Sequence, residues 1–240
     1  MTLVSGGGFI PTNHLSNIIV TNFQKIILIG SLLVSMFNFY LLFNIFDKKI
    51  ITREHKEDLY LLFLSLILIL FVYFNDNSGL DLIISVISSL TNSGITLINS
   101  DNLSLYFLLI TIIGGSLISN TSGIKLARFY ILLKITYSEI LKLISPNSII
   151  NKTIFSSERK ITDDNIKISF LVFISFFLSL FILSSFLILD NIGFEKSFKL
   201  SILTLTNTVN SELFNMENLN FANLLTSSKI SLIIFMIIGK

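Results

Sequence analysis

The chain has 240 residues, of which 52% are hydrophobic and 13% charged, with no cysteine and a net charge of +2. A soluble domain carries about 25% charged residues, so at a mean hydropathy of +0.81 this chain lacks the groups to cover a water-facing surface, and lipid must cover part of it. The missing cysteine excludes disulfides, thiolate metal sites and a cysteine nucleophile, and the small net charge, with its basic residues in loops, argues against nucleic acid.

The first 20 residues show no cleavable signal, because there is no basic leader and Ser5-Gly6-Gly7-Gly8-Phe9 stands where an apolar core would be. Four stretches then reach or approach the roughly 20 apolar residues that cross a bilayer as helix. The first runs from about Ile26 to Phe46 and the second from Leu59 to Phe74. The third begins at Leu105 and is interrupted at Gly114-Gly115, and the fourth covers about Ile168 to Leu189. A shorter run, Ile230 to Ile238, reads as a fifth helix that stops with the chain.

Two further segments, Leu80 to Leu90 and Phe198 to Leu205, are apolar but about half the spanning length. Each runs straight into a polar, non-helical stretch, Thr91-Asn92-Ser93-Gly94 and Thr206-Asn207-Thr208-Val209. Irregular backbone at membrane depth survives only inside protein or along a watery cavity, so half-helix plus polar loop is the pattern of a re-entrant pore segment. The two copies align without a gap from Ile87 to Gly94 and from Ile202 to Val209. The repeating unit is span, half-helix, polar loop, span, and Gly6-Gly7-Gly8-Phe9 with the first span reads as the tail of an earlier copy.

Charge bias agrees. Lys48, Lys49, Arg53 and Lys56 lie between the first and second spans, and Lys142, Lys152, Arg159, Lys160 and Lys167 between the third and fourth. The segments flanking the polar loops (Asn75 to Asp81, Asn99 to Ser104, Glu212 to Asn223) contain no Lys or Arg. Basic loops stay cytoplasmic, so both polar loops open outward.

A pore loop replaces an ion's water with backbone carbonyls, aided by the negative C-terminal ends of half-helices. Gly94 and the Gly6-Gly7-Gly8 run suit such loops, whereas the β-branched Val209 resists left-handed backbone angles. The hydroxyl-rich break from Gly114 to Gly123 reads as a hinge or gate beneath the filter. Two readings stand for Lys125 and Arg128: charges of that gate, or side chains snorkelling at the cytoplasmic interface. His14 and His55 have no ligand-spaced partners and read as surface residues. Asp47, Glu54, Glu57 and Asp58 read as solvating a cytoplasmic loop, and the phenylalanines as lipid-facing or helix-packing. No nucleotide loop, catalytic triad or paired carboxylates at membrane depth are visible, so no enzyme is expected.

The stretch Gly114-Gly115 through Ser122-Gly123-Ile124-Lys125-Leu126-Ala127-Arg128-Phe129, with Leu132-Leu133-Lys134 and Ser145-Pro146-Asn147, resembles the third repeat of bacterial Trk/Ktr-type potassium uptake proteins of the Trk/Ktr/HKT superfamily. Ser5-Gly6-Gly7-Gly8-Phe9 is similar to that family's second filter and Thr91-Asn92-Ser93-Gly94-Ile95 to its third. Asn220-Phe221-Ala222, Ser228-Lys229 and Met236-Ile237-Ile238-Gly239-Lys240 resemble the segment after the fourth.

The resemblance implies an all-α membrane protein of span–pore helix–filter loop–span units, potassium-channel-like and truncated at both ends. Residues 1–52 would be the tail of the second repeat, 53–150 a third repeat with a broken inner helix, and 151–240 a cytoplasmic loop and an incomplete fourth repeat. It further implies a potassium filter at Ser5, Gly6, Gly7, Asn92, Ser93, Gly94, Asn207, Thr208 and Val209. Gly114, Gly115, Ser122, Gly123, Lys125 and Arg128 would belong to the gating loop, and Lys240 would be a pore charge where the family normally has arginine. The expected activity is potassium uptake across the inner membrane of a bacterium by a multi-pass subunit, with potassium as transported substrate and no cofactor. The expected partners are membrane lipid, a second copy in a homodimer, a cytosolic nucleotide-binding regulatory subunit and, if the protein is split, the missing N-terminal repeats. Against the family's pattern stand Val209 where a glycine is expected and Asn210-Ser211 where Pro-Gly is expected. Val209 and the missing repeat motivate the alternative of a non-transporting structural or regulatory membrane subunit, a decayed paralogue.

Overall fold

A computed structural model describes residues 18–46, 55–74, 79–97, 103–145, 153–156, 160–208, 214 and 224–239. The Ser5, Gly6, Gly7, Val209 and Lys240 assignments, like His14, Asp47 and Glu54, lie outside the described residues. The described elements are helical but for one two-residue strand pair: α1 (Asn22–Met36), α2 (Phe39–Phe46), α3 (Lys56–Tyr73), α4 (Leu80–Leu90), α5 (Ser104–Ile112), β1 (Ile113–Gly114), β2 (Ile124–Lys125), α6 (Leu126–Ile144), α7 (Asp163–Leu189), α8 (Phe194–Leu205) and α9 (Thr226–Ile238).

Local chemistry explains the helix starts. Thr21 and Gln24 form a reciprocal capping box at α1. Thr162 accepts from Asn165 N at 3.3 Å at the head of α7, followed by Asp163 and Asp164 in its first turn, where acidic groups meet the positive end of the helix dipole. The 27 residues of α7 make a rod about 40 Å long, enough to cross a bilayer core of about 30 Å. One stripe of it, Phe176, Leu180, Leu183 and Leu187, is buried, while Phe170, Leu171, Leu178, Phe181 and Leu189 are exposed, as a helix between protein and lipid requires.

The half-helices have the opposite character. α4 and α8 have 11 and 12 residues, about 16–18 Å each, yet they lie at the centre of the molecule. Leu82 to Leu90 of α4, apart from Ile83, and Leu200 to Leu205 of α8 are all buried. α4 packs among α1, α3 and α5, and α8 among α5, α7 and α9. Leu28 and Leu32 of α1 close on Ile84 and Ile87 of α4, while Leu200 and Leu203 of α8 share a core with Leu180, Leu183 and Leu187 of α7. An ion pair joins Lys25 of α1 to Asp81 of α4, and Lys199 pairs with Glu195 at 2.7 Å within α8.

The first span departs from expectation. Instead of one helix from Ile26 to Phe46, α1 and α2 meet at a 115° bend around Phe37 and Asn38. Neither proline nor glycine stands at the bend; the partners described below take up its freed backbone groups. The third span breaks where expected, α5 ending at Ile112 and α6 starting at Leu126, with β1 and β2 side by side in parallel register, Ile113 on Ile124 and Gly114 on Lys125.

This arrangement sets the ends of the helices on defined sides. Because the chain has no cysteine, cysteines placed singly at Lys142 and Asn191 report topology directly. A membrane-impermeant maleimide is expected to label Asn191→Cys in intact cells and Lys142→Cys only after permeabilisation.

Candidate functional site

The two half-helices end in the same way. Thr91 N donates to Ile87 O and Thr206 N to Ile202 O, both at 2.9 Å; Asn92 N and Asn207 N reach Ser89 O and Thr204 O at 3.3 and 3.1 Å; Ser93 N and Thr208 N reach back to Ser88 O and Leu203 O at 3.0 and 2.9 Å. The turn needs a residue at positive φ, and Asn92 (φ 59°) and Asn207 (φ 50°) supply it. Asparagine is among the few residues other than glycine that enter this region readily. Gly94, two residues on, is also at positive φ, 69°.

These asparagines also knit the centre together. Asn92 Nδ2 donates to Thr206 O across the two loops at 3.1 Å. Asn207 Nδ2 donates to Met236 O of α9 at 3.0 Å and approaches Ser122 Oγ, in the break of the third span, at 3.4 Å. The Nδ2 of Asn92 lies 3.4 Å from where a Cβ would stand on Gly123. The loop after α4, the loop after α8 and the broken span therefore converge on two side-chain amides. Asn92, Ser93, Gly94 and Thr208 are buried, and Asn207 is half-buried.

The loop after α4 has a brace that sequence reading missed. Ser88 is fully buried; its hydroxyl accepts from Ile95 N at 2.6 Å and meets Ser93 Oγ at 3.0 Å. Thr91 Oγ1 donates to Ser88 O at 3.1 Å, and Ser85 Oγ pairs with Thr96 Oγ1 at 3.2 Å. The available signal was the set of hydroxyls, Ser85, Ser88 and Ser89, inside an otherwise apolar half-helix. At the counterpart of Ser88, α8 has Leu203.

The break from Gly114 to Gly123 is a folded loop, not a slack hinge. Gly115 N donates to Thr121 Oγ1 at 2.7 Å, Ser119 Oγ to Ser116 O at 2.7 Å, and Leu126 N to Gly115 O at 3.2 Å. Lys125 Nζ donates to Ser119 O at 3.1 Å and also to Thr121 O, so its charge is spent on the loop's carbonyls. Arg128, one turn further, is half-buried. Glycine is required here for space: a Cβ on Gly115 would stand 2.6 Å from Met36 O, and one on Gly123 (φ +77°) 2.9 Å from Ile112 O.

The outer side of the loop docks on the bend of the first span. Ser116 N donates to Met36 O and Phe39 N to Ile118 O, both at 3.1 Å. Leu117 N donates to Glu57 Oε1 at 2.7 Å, and Asn38 N to Asp58 Oδ1 at 3.0 Å. Asp58 Oδ2 lies 3.5 Å from His55 Nδ1, and His55 Nε2 meets Asn44 Nδ2 at 3.0 Å. His55 and Asp58 are therefore not surface residues: they are 6% and 3% exposed. Glu57 and Asp58 do not simply solvate a loop either, because their carboxylates accept the backbone N–H groups that two helix breaks leave free. Asn38 within an apolar run and an acidic pair at a helix start were the available signals. Among the described residues no cluster of acidic or histidine side chains could hold a metal ion.

No family model matches the chain. It is 31% identical over 195 residues to an uncharacterized cation transporter of Methanocaldococcus jannaschii, a match covering 78% of this chain and 39% of that relative. The fold superposes on the crystal structure of the potassium transporter TrkH from Vibrio parahaemolyticus with a TM-score of 0.84 at 20% identity, covering 99% of this chain and 54% of that chain. The chain thus spans about half or less of the proteins it matches.

Two substitutions test the geometry. Ser88→Ala leaves the Ile95 N–H buried without its acceptor and is expected to lower stability by about 1–3 kcal/mol, read as thermal unfolding of the purified protein. Gly123→Ala forces a Cβ into left-handed backbone, which alone costs about 1–2 kcal/mol, and adds a clash with Ile112 O; it is expected to lower the unfolding temperature in the same assay.

Proposed function

We propose that this chain, which has the all-α Trk-type membrane fold and bears out the Trk/Ktr/HKT resemblance read from its sequence, is part of the pore-forming subunit of a potassium uptake transporter. The observation that carries the reading is the convergence of α4 and α8: two half-helices too short to cross, ending in one left-handed asparagine turn, joined by Asn92 Nδ2 on Thr206 O and touched by the interrupted third span.

In this reading a potassium ion exchanges its water for backbone carbonyls of Asn92, Ser93, Gly94, Asn207 and Thr208, with Val209 and Ser5, Gly6 and Gly7 completing the ring. The C-terminal ends of α4 and α8, where carbonyls carry partial negative charge, favour a cation there. Ser88 holds the loop after Gly94 so that carbonyl positions are set before the ion arrives. The loop from Gly114 to Gly123, held by Lys125 and followed by Arg128, is the gate below, and Lys240 supplies a positive charge to the pathway. Three repeats contribute, with bounds at 1–52, 53–150 and 151–240. The setting is the inner membrane of a bacterial cell, with lipid on the exposed apolar faces, a second copy in a homodimer and a cytosolic nucleotide-binding subunit as partners.

A second reading, a membrane subunit that binds partners without passing ions, is favoured by one observation. The fourth-repeat loop has Leu203 and Val209 where the third has Ser88 and Gly94. Potassium uptake decides between them. In uptake-deficient cells the chain assembled with the missing repeats is expected to restore growth at low potassium, and Gly94→Val to abolish it. Uptake indifferent to Gly94→Val removes the filter assignment, and absence of any flux once the missing repeats are supplied favours the second reading.

A further inference from the structure

Three elements meet at the first turn of α3, and side chains of that turn hold the other two. Glu57 accepts the N–H of Leu117, in the middle of the interrupted third span, while Asp58 accepts the N–H of Asn38, at the bend of the first. Backbone bonds from Ser116 to Met36 and from Phe39 to Ile118 close the circle. The loop therefore moves with the α1–α2 bend and the start of α3, which Asn38 and Asp58 tie to each other, or it gives up three hydrogen bonds.

The same turn is where both basic connections touch the core. His55, which follows the α2–α3 connection, bridges Asp58 and Asn44 of α2. From the α6–α7 connection, Phe155 is 96% buried and packs its ring at 5.2 Å from Tyr60, one turn along α3, and at 4.4 Å from Tyr130 of α6. Lys134 Nζ fixes that connection through Thr153 O at 2.6 Å. At its other end the loop meets the filter asparagines, through Ser122 and Gly123.

Resting on the reading of residues 114–123 as the gate, we propose that Glu57 and Asp58 are its positioning residues. They form an acidic latch through which displacement of the cytoplasmic ends of α2 and α3 is delivered to the loop under the filter. A carboxylate suits this because it accepts an N–H more strongly than a neutral group does, and two adjacent carboxylates hold loop and bend in one register. The latch acts on the gate and leaves the filter carbonyls untouched, so it governs how often the path is open and not how well the ion binds.

Hydrogen–deuterium exchange on the purified protein reads the latch directly. Glu57→Ala is expected to speed exchange of the 116–118 amides by about tenfold or more, the protection given by one hydrogen bond to a charged acceptor, with the 91–95 amides unchanged. Glu57→Gln, which keeps an acceptor oxygen, restores most of the protection. In potassium uptake, Glu57→Ala raises the maximal rate and leaves the half-saturating concentration as in the parent. If Glu57→Ala does not accumulate in the membrane, Glu57→Asp, which keeps the charge but shortens its reach, carries the same comparison. Unchanged exchange at 116–118, or faster exchange spread equally over 91–95, overturns the latch. So does uptake in which the half-saturating concentration shifts and the maximal rate does not. A protein with no potassium flux overturns the transport reading, while the exchange experiment still decides the latch.

Discussion

Backbone N–H and C=O groups at membrane depth must find partners inside the protein, and this chain interrupts its helices repeatedly. The bend at Phe37 and Asn38, the loop between α5 and α6, and the turns after α4 and α8 all free peptide groups. Each break is satisfied by another. Met36 O takes Ser116 N, and Ile118 O takes Phe39 N; Thr206 O takes Asn92 Nδ2. The irregular parts of the molecule are thus mutually dependent, and their hydrogen bonds supply the specificity that uniform apolar packing lacks, since lipid is as apolar as leucine.

The side chains recruited for this work are small and polar. Serine and threonine hydroxyls bond back to the helix within most of the helices, as in Ser35 on Leu32 and Thr111 on Leu108, both at 2.7 Å, which lets an apolar helix carry polar atoms at little cost. Where the helix ends, the same hydroxyls turn to the loop instead. Ser88 is the clearest case, and Leu203 in the matching place shows that the two repeats share a backbone turn without sharing its brace. Backbone geometry is repeated, as is the hydroxyl contact of Thr91 with Ser93 and of Thr206 with Thr208; the Ser88 brace is particular to one loop.

Charge is used sparingly and near the ends of elements. Lys25 with Asp81 and Lys199 with Glu195 lie at the starts of the half-helices. Glu57, Asp58 and Lys125 each act as donors or acceptors for named backbone groups. A charge at depth is expensive unless protein solvates it, and here carbonyls and amides of a compact loop provide that solvation. The unbroken apolar surfaces of α3, α7 and α9 are left to lipid.

Composition and hydropathy determined the class: too few charges for water, and long apolar runs, of which Asp163–Leu189 is long enough to cross a membrane. The repeat was legible because the register from Ile87 to Gly94 recurs from Ile202 to Val209, and the structure carries the same hydrogen bonds at the same offset. The break at Gly114-Gly115 was legible because glycine and hydroxyls interrupt an apolar run. The bend between α1 and α2 was not, since no proline or glycine marks it; its freed groups are held by residues about 20 to 80 positions away in the chain. For the same reason Glu57 and Asp58 read as solvated surface, and His55 with them. An isolated acidic pair at a helix start is suited to water by every local rule; only tertiary structure places the N–H groups of Asn38 and Leu117 over it and buries Asp58.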